Sequence, residues 1–341
     1  MKLKDIGEFG FIDRIRSETL ARPENVIKGI GDDCSVCRSA PDRVTLLTTD
    51  MLVEGVHFQL GRIPPYKLGR KSIAVNLSDI AAMGGTPKEA LVSIAIPDTV
   101  SLDTLDSVYE GMKSMAREFD VNLVGGDTTA SPLHLVINVA LVGEAREEEV
   151  LYRSGAKQKD VVFLTGPVGA SAAGLDSLLA SRSFEGQDAL IDAHFDPHPH
   201  VRAGQIIAGL GVAHSLIDVS DGLAGDLGHI CTESRVGAII EEGKIPTTEL
   251  FRAYCERFEL DMTRLTINVG EDYVLLGTVP EGSAGKLGKA LESAGCEFFP
   301  IGRIVEELGV RLLTPDGSLR EIEPSGWNHF SSGHSAGKGN P

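Results

Sequence analysis

Apolar and polar residues in the first half of the chain alternate between strand-like runs and helix-like repeats. The run at residues 44–49 predicts a β-strand ending at Asp50, and apolar residues recur at helical spacing between residues 67 and 83. A second helical repeat covers residues 102–119. Further strands are predicted at residues 89–96, 121–124 and 133–142. This order of strands and helices predicts an α/β fold.

The pattern breaks near residues 144–151, in a charged run that follows the last of these strands. We place a domain boundary there, which gives an N-terminal domain of residues 1–148 and a C-terminal domain of residues 149–330. The second domain is predicted to be α/β as well, with strands at 161–165, 273–279, 298–304 and 310–313 and helices at 169–180, 223–232, 250–258 and 286–294. Residues 331–341 have almost no apolar content and are predicted to be a disordered tail.

The composition is that of a globular protein with an acidic balance. The 341 residues are 42% hydrophobic, and 32 basic against 49 acidic residues give a formal charge of -17. That charge disfavours a nucleic-acid partner, because binding a phosphate backbone needs a basic surface. The sequence contains no signal-peptide pattern and no apolar run of membrane-spanning length, so no membrane partner is expected.

The cysteines bear on the cellular compartment. Five cysteines are an odd number for a disulfide framework, which favours a reducing compartment, with the cytoplasm as the default. Cys34 and Cys37 form a C-x-x-C pair, but no second pair or nearby histidine completes a zinc site. We interpret them as small core residues.

Aspartates recur beside Gly, Ser and Thr in five short motifs. These are Gly31-Asp32-Asp33, Thr48-Thr49-Asp50, Asn76-Leu77-Ser78-Asp79, Gly125-Gly126-Asp127-Thr128-Thr129 and Asp218-Val219-Ser220-Asp221-Gly222. Any single motif is more typical of a turn or helix N-cap. Asp79, however, lies inside an apolar helix, and carboxylates gathered at strand ends need a compensating cation. Hard oxygen ligands of this kind suit Mg²⁺ or Mn²⁺.

Several common nucleotide and hydrolase signatures are missing. The sequence has no G-x-x-x-x-G-K-[ST] loop, and Gly29-Ile30-Gly31 lacks the third glycine of a dinucleotide fingerprint. It has no G-x-S-x-G nucleophile motif. Metal-assisted phosphate chemistry is therefore the most economical interpretation, since phosphoryl transfer depends on positioning and on cations that offset developing charge.

Longer motifs resemble one known family. They are GIGDDC (29–34), TTDMLVEGVHF (48–58), AVNLSDIAAMGG (74–85), VGGDTT (124–129), RSGAK (153–157), DVSDGLAGDLGHI (218–230) and GEDYVLL (270–276). In this order they are similar to the thiamine-monophosphate kinase family, within a superfamily that includes aminoimidazole-ribonucleotide synthetase, selenophosphate synthetase and a hydrogenase-maturation protein. The resemblance extends from Gly7 to Phe330. The chain departs from the family at Val274, where a glutamate is usual.

The resemblance implies a two-domain α/β (α+β) fold of the aminoimidazole-ribonucleotide synthetase type, with N-terminal domains that bind ATP and Mg²⁺ and pair in a homodimer. Several Mg²⁺ ions and ATP as co-substrate are implied. The implied metal ligands are Asp33, Thr48, Thr49, Asp50, Asp79, Asp127 and Asp218, with Asp221 for a further ion. The implied ATP contacts are Tyr109, Gly126, Asp127, Arg153 and Ser220. The implied contacts to thiamine monophosphate are His57, Glu271 and Trp327.

Each of these roles has a structural alternative. His57 has the placement of a surface or structural histidine, Arg153 that of a surface ion-pair partner, and Trp327 that of a core residue near the C-terminus. An aromatic face also stacks on a cationic ring, and an arginine fork suits a phosphate. The histidines in AHFDPHPH (193–200) resemble a metal-binding tract, but the prolines there favour a variable loop.

The implied reaction is direct in-line transfer, in which the phosphate of thiamine monophosphate attacks the γ-phosphorus of ATP. The substrate phosphate is ionised near neutral pH, so neither a covalent intermediate nor a strong general base is predicted. Two alternatives stay open at this point. One is another ATP-using member of the superfamily, of the selenophosphate synthetase or hydrogenase-maturation type, and the other is a non-catalytic scaffold that binds Mg-ATP.

Overall fold

The chain forms two mixed β-sheets with helices packed between and around them. The structure is a computed structural model that describes residues 23–322 together with Gly10, Ile12, Thr19 and Leu20. The first sheet has the strand order β1-β2-β3-β6-β4-β5. Its strands are β1 (Val26–Lys28), β2 (Ser35–Arg38), β3 (Arg43–Val53), β4 (Thr86–Ile96), β5 (Asn122–Ala130) and β6 (Val136–Arg146).

Long antiparallel pairing holds the centre of the first sheet. Strand β3 pairs with β6 from Arg43↔Arg146 to Val53↔Val136. Buried and less buried residues alternate along β6, as expected for a strand with one face on the core. At the edge, β5 pairs in parallel with β4, and nearly all of its residues are exposed.

Helices α1 (Pro65–Ala82) and α2 (Leu102–Glu118) pack against each other through a reciprocal glycine contact. A Cβ at Gly69 of α1 would lie 1.8 Å from the carbonyl oxygen of Val108 in α2. A Cβ at Gly111 of α2 would lie 1.9 Å from the carbonyl oxygen of Tyr66 in α1. Glycine therefore lets the two backbones touch, although it lowers helix propensity.

The second sheet has the order β13-β12-β9-β11-β7-β10-β8. Its strands are β7 (Val161–Leu164), β8 (Ser215–Asp218), β9 (Gly237–Glu241), β10 (Leu275–Val279), β11 (Phe299–Val305), β12 (Gly309–Leu313) and β13 (Leu319–Ile322). The helices of this half are α3 (Ala170–Ala180), α4 (Gln187–Phe195), α5 (Val201–Leu210), α6 (Leu223–Ser234), α7 (Glu249–Arg257), α8 (Met262–Asn268) and α9 (Glu281–Ser293).

The largest hydrophobic core is shared by both halves of the chain. It joins residues such as Leu77 and Ile137 to Phe163, Phe195 and Leu216. Helix α1 lies at its centre and contacts β3 and β6 on one side and α5 and β8 on the other. The predicted boundary between residues 148 and 149 stays a prediction, because the core is continuous across it.

The strands and helices predicted from the sequence are confirmed, with shifted ends. Strands β3 and β5 are longer than predicted, and for that reason Asp50 and Asp127 lie inside strands, where strand ends or loops were expected. Eight of the described elements were not predicted from the sequence: β1, β2, α4, α5, β8, β9, α8 and β13. In the described part of the chain, no helix has the length and apolar content needed to cross a membrane.

Candidate functional site

Three aspartates from distant parts of the chain meet where the two sheets face each other. Asp33 lies in the loop before β2, Asp79 lies in α1, and Asp218 ends β8. One carboxylate oxygen of each lies within 4.8 Å of the other two. Ser78 Oγ donates a hydrogen bond of 2.6 Å to Asp218 Oδ2. We call these three aspartates the carboxylate cluster.

Burial makes the ionised carboxylate cluster energetically costly. It raises the pKa of Asp33 to about 7 and the pKa of Asp218 to about 6, and it raises the pKa of Asp79 well above its ordinary value. Asp33 Oδ2 is buried without a hydrogen-bond partner among the described residues. A divalent cation would satisfy this oxygen and offset the repulsion, and an all-oxygen donor set fits Mg²⁺ better than zinc.

Strand β3 directs two of its three predicted ligands toward the cluster. Thr48 Oγ1 donates a hydrogen bond to Asp79 Oδ2. The charge of Asp50 adds, after burial, to the raised pKa of Asp79. Thr49 lies on the opposite face, because side chains alternate along a strand, and its hydroxyl donates to the carbonyl of Val139 at 3.0 Å. The side chain of Thr49 is therefore not part of the carboxylate cluster.

Arg153 lies against the cluster. Its Nε and Nη2 both donate to Asp33 Oδ1, at 3.1 and 2.6 Å. Its backbone N–H donates to Asp32 Oδ1 at 3.2 Å. This guanidinium lowers the pKa of Asp33, but burial has the larger effect and the pKa is raised overall. The predicted contact of Arg153 with ATP stays a prediction, and its contact in the structure is with Asp33.

A second group of possible metal ligands follows β8. Asp221, Asp226 and His229 bring ligand atoms within 4.8 Å of one another. Asp226 Oδ2 accepts a hydrogen bond of 3.1 Å from the backbone N–H of Gly222. Burial lowers the pKa of His229 to about 4, so its imidazole is neutral at pH 7. Asp221 was predicted from the sequence. Asp226 and His229 were missed, although their i, i+3 spacing in a helix is a recognisable signal.

A groove of about 590 Å³ lies between α2 and the edge strand β5. Tyr109, Gly126 and Asp127, which were predicted to contact ATP, all line it. Gly126 has a φ of 151°, and a Cβ there would lie 1.7 Å from the carbonyl oxygen of Val92. A side chain at this position would therefore clash with the backbone of β4 and disturb the pairing of β4 with β5.

Two cations also line this groove. Lys113 and Arg117 follow Tyr109 at successive helical turns of α2. Neither was predicted as a site residue from the sequence, because charged residues on an amphipathic helix are usually only part of its solvated face. They give this acidic protein a local positive charge beside β5.

Within one chain, Asp127 lies apart from the carboxylate cluster. It pairs with Ser93 of β4, Ser93 pairs with Asn138 of β6, and Asn138 pairs with Met51, the neighbour of Asp50. Three strand spacings of about 4.8 Å separate Asp127 from β3, or about 14 Å in total. The predicted metal ligands therefore do not form a single site within one chain, because Asp127 lies in the groove and apart from the carboxylate cluster.

Glu271 lies in the loop before β10 and has a left-handed backbone conformation, with a φ of 63°. Its Oε1 is 3.1 Å from Lys71 Nζ, and its Oε2 is 3.1 Å from His194 Nδ1. Burial acts to raise the pKa of Glu271, but opposing interactions, led by the charge of Lys71, outweigh it, and the pKa lies below its ordinary value. Glu271 is therefore ionised near neutral pH. Neither Lys71 nor His194 was predicted from the sequence as a partner of Glu271.

Two further residues predicted to contact ATP or the substrate, Ser220 and His57, interact with Glu271. The carbonyl of Ser220 accepts the backbone N–H of Glu271 at 2.8 Å. His57 follows β3, and its Nδ1 accepts the backbone N–H of Val53 at 3.0 Å. The charge of His57 also acts to lower the pKa of Glu271, so the two residues are close enough to interact electrostatically. Trp327 lies outside the described residues.

Comparison with known proteins accounts for nearly the whole chain. A family model described as the N-terminal domain of AIR synthase related proteins matches residues 31–145, and the model of their C-terminal domain matches residues 157–313. The thiamine-monophosphate kinase of Escherichia coli K12 is 37% identical over 334 residues, which cover 96% of this chain and 99% of that protein. The Bacillus subtilis enzyme of the same name is 34% identical over 95% of this chain and 99% of its own.

The chain belongs to the thiamine-monophosphate kinase family. A solved structure described as AaThiL complexed with AMPPCP and TMP has a TM-score of 0.85 at 35% identity, covering 97% of this chain and 99% of that one. Thiamine-monophosphate kinase from Aquifex aeolicus has a TM-score of 0.79 at 33% identity, covering 95% of this chain and 100% of that one. The predicted two-domain fold of this family is thereby confirmed.

More distant structures share the fold alone. Hydrogenase maturation protein HypE of Escherichia coli aligns with a TM-score of 0.68 at 21% identity, covering 82% of this chain and 85% of that one. The structures named as thiamine-monophosphate kinase therefore match this chain at higher identity than those of the hydrogenase-maturation type.

The structure also bears on two features noted in the sequence, the histidines of residues 193–200 and Val274. A variable loop was predicted at residues 193–200, but α4 continues to Phe195 and His194 is buried in it. Only residues 196–200 connect α4 to α5, which begins at Val201. Val274 is 4% exposed and packs into the core of the second sheet beside Gly166. The valine that stands where the family usually has glutamate is therefore a core residue of the second sheet.

Proposed function

We propose that this protein is an ATP-dependent thiamine-monophosphate kinase that produces thiamine diphosphate for cofactor biosynthesis. The observation that carries the proposal is the full-length match to the AaThiL complex with AMPPCP and TMP, at a TM-score of 0.85 and 35% identity. The carboxylate cluster and the groove beside β5 support it, since phosphoryl transfer needs held cations and a positioned nucleotide. The hydrogenase-maturation alternative is not favoured, because those relatives share only the fold.

In the proposed reaction, an oxygen of the substrate phosphate forms a bond to the γ-phosphorus of ATP while the bond to the β-phosphate oxygen breaks, which releases ADP. Asp33, Asp79 and Asp218 would hold Mg²⁺, with Thr48 and Asp50 beside them, and Asp221 with Asp226 and His229 would hold a further ion. The bound ions would screen the repulsion between the two anionic reactants. Arg153 keeps Asp33 oriented through its two hydrogen bonds.

The groove between α2 and β5 is the proposed ATP site. Tyr109 offers a ring face to the base, Gly126 allows the β5 backbone to approach the phosphates, and Asp127 would take part in metal binding there. Ser220 and Arg153 are proposed to contact ATP from the second sheet. Thr49 stays a proposed metal ligand, but it would bind an ion outside the carboxylate cluster, because its side chain lies on the opposite face of β3.

The substrate end is proposed to lie near His57 and Glu271, with Trp327 from the C-terminal segment. The thiazolium ring of thiamine is cationic and its pyrimidine carries an amino group, so an ionised carboxylate such as Glu271 suits either as a partner. An indole face suits a flat cationic ring. None of these side chains is proposed to act as a nucleophile or strong general base.

A homodimer and a cytoplasmic location complete the proposal. Large apolar side chains are exposed along the first sheet, at Leu47, Met51, Leu91 and Val124. A second copy of this chain is the proposed occupant of that face, which would bring a partner subunit beside the groove at β5. Sedimentation equilibrium measures the mass directly, and a monomer at micromolar concentration would contradict the dimer. All five cysteines are free thiols, which suits the cytoplasm.

The direct test is a product assay with purified protein, ATP, Mg²⁺ and thiamine monophosphate. Thiamine diphosphate and ADP are expected in equal amounts, and replacing thiamine monophosphate by thiamine is the matched control. ADP formation only with another phosphate acceptor would favour a different member of the superfamily. Binding of ATP in calorimetry with no thiamine-dependent ADP release would favour the scaffold alternative.

A further inference from the structure

A lysine buried between the two halves of the chain has no role in the function proposed above. Lys71 of α1 is 1% exposed. Its ammonium lies 3.1 Å from Glu271 Oε1 and donates a hydrogen bond of 2.9 Å to the carbonyl of His194. Burying a lysine is costly unless it is paired. The structure therefore holds this charge where its partners come from the other half of the chain.

Two contacts fix the Glu271 carboxylate, and a third fixes its backbone. Lys71 contacts Oε1 and His194 contacts Oε2, while the backbone N–H of Glu271 donates to the carbonyl of Ser220. Burial, followed by the charge of Lys71, lowers the pKa of His194 to about 4, so this imidazole is neutral near pH 7. Of the two side chains that contact the Glu271 carboxylate, Lys71 is therefore the one that carries a full positive charge. The Glu271 side chain keeps 27% of its surface exposed, which leaves it available to a ligand.

Helix α1 connects this carboxylate to the carboxylate cluster. Lys71 and Ser78 are seven residues apart, which places them on the same helix face with about 10 Å between them along the axis. Ser78 holds Asp218 at one end, and Lys71 holds Glu271 at the other. A single rigid helix therefore sets the spacing between the metal end of the site and its substrate end.

We infer that Lys71 is a positioning residue that sets the Glu271 carboxylate for the cationic or amino-substituted ring of the substrate. The inference rests on the proposed function and assigns Lys71 no contact with the substrate, because its side chain is only 2% exposed. Its effect is transmitted through Glu271. Loss of Lys71 leaves Glu271 with a neutral neighbour and removes the contact that orients Oε1.

The test compares two lysines of α1 that bridge to the same helix. Lys67 precedes Lys71 by one turn and pairs with Asp192 of α4, but its side chain is 25% exposed and lies away from Glu271. Lys71→Met should raise KM for thiamine monophosphate by about tenfold to a hundredfold, since a hydrogen bond to a charged group is lost. KM for ATP should stay within about twofold. Lys67→Met should leave both KM values near wild type.

Wild-type activity separates this inference from the proposed function. If the wild-type protein forms no thiamine diphosphate, the proposed function fails. If the wild type is active and Lys71→Met has the same KM values as Lys67→Met, only the role of Lys71 fails. A kcat loss in Lys71→Met with an unchanged KM for thiamine monophosphate would also overturn the inference.

A double variant serves as a control, because Lys71→Met alone leaves the charge of Glu271 unpaired and could misfold. Lys71→Met combined with Glu271→Gln removes both charges, so it should fold even if Lys71→Met alone does not. Because Lys71 is inferred to act through Glu271, this double variant should have the same KM for thiamine monophosphate as Glu271→Gln. A clearly higher KM in the double variant would show that Lys71 acts by another route and would overturn the inference.

Discussion

At the scale of single residues, Asp79 is the sharpest probe of the carboxylate cluster. It accepts the hydroxyl of Thr48 and lies beside Asp33 and Asp218. Asp79→Asn keeps the shape of the side chain but removes a charge that would hold Mg²⁺, so kcat at saturating ATP should fall by at least about a hundredfold.

The control for this substitution is Asp98→Asn, an exposed aspartate after β4 that should leave kcat unchanged. Steady-state assays on both variants, with circular dichroism to confirm folding, give the comparison. Full turnover by Asp79→Asn would rule out a cation held by the cluster.

The sequence could identify residues whose surroundings are unusual in the local pattern, and it missed those whose meaning depends on distant contacts. Asp79 could be predicted because a carboxylate inside an apolar helix needs a partner. Lys71 could not, since a lysine near the start of a helix is normally solvated and its partner Glu271 is 200 positions away along the chain. The same holds for Lys113, which looks like an ordinary surface residue of α2 until β5 lies beside it.

At the scale of elements, the contact of α1 with α2 depends on glycine. A Cβ at Gly111 would lie 1.9 Å from a backbone oxygen of α1, so Gly111→Ala must push the helices apart. We expect it to lower the free energy of unfolding by about 1–3 kcal/mol, despite the better helix propensity of alanine. Because α2 carries Tyr109, it should also weaken ATP binding.

Chemical denaturation and calorimetry with ATP measure the two effects. Gly285→Ala is the matched control, since Gly285 lies in α9 and its Cβ would meet nothing within 4 Å. That variant should be more stable than wild type by about 0.5–1 kcal/mol. Equal stability changes in both variants would show that the close helix contact is unimportant.

Elements with a long regular period could be predicted, and short buried ones could not. The repeats of α1 and α2 extend over four or more turns, and their assignment is confirmed. Strand β8 has four residues, all buried, so it has no alternation to detect, and Asp218 was therefore assigned to a loop motif. Helices α4 and α5 are separated by two prolines, which obscured both of them.

At the scale of the whole molecule, the carboxylate cluster should couple stability to pH and Mg²⁺. Burial raises the pKa of Asp33 to about 7 and the pKa of Asp218 to about 6. Between about pH 4 and pH 7 the folded protein therefore binds more protons than the unfolded chain, and the stability from these groups is lost as the pH rises. In EDTA, where no Mg²⁺ is bound, loss of this stability should make Tm lower at pH 8 than at pH 5.

Mg²⁺ should raise Tm more at pH 8 than at pH 5, because it binds the ionised carboxylates and competes with protons. Thermal unfolding with and without Mg²⁺ at both pH values measures this difference. The Asp33→Asn and Asp218→Asn double variant should show a weaker dependence on pH and a smaller Mg²⁺ effect. An equal Mg²⁺ shift in the variant and the wild type would mean that the ion binds elsewhere.

The shared core around α1 also limits which segments could be exchanged between members of the family by recombination. Helix α1 belongs to the first half by sequence, yet it packs against α5 and β8 of the second half. A chimaera could join the N-terminal half of one relative to the C-terminal half of another. Its α1 would then pack against an α5 and a β8 whose side chains are not complementary to it. Recombination should therefore favour exchanges that keep α1 with its own α5 and β8, even though the sequence suggests two separable modules.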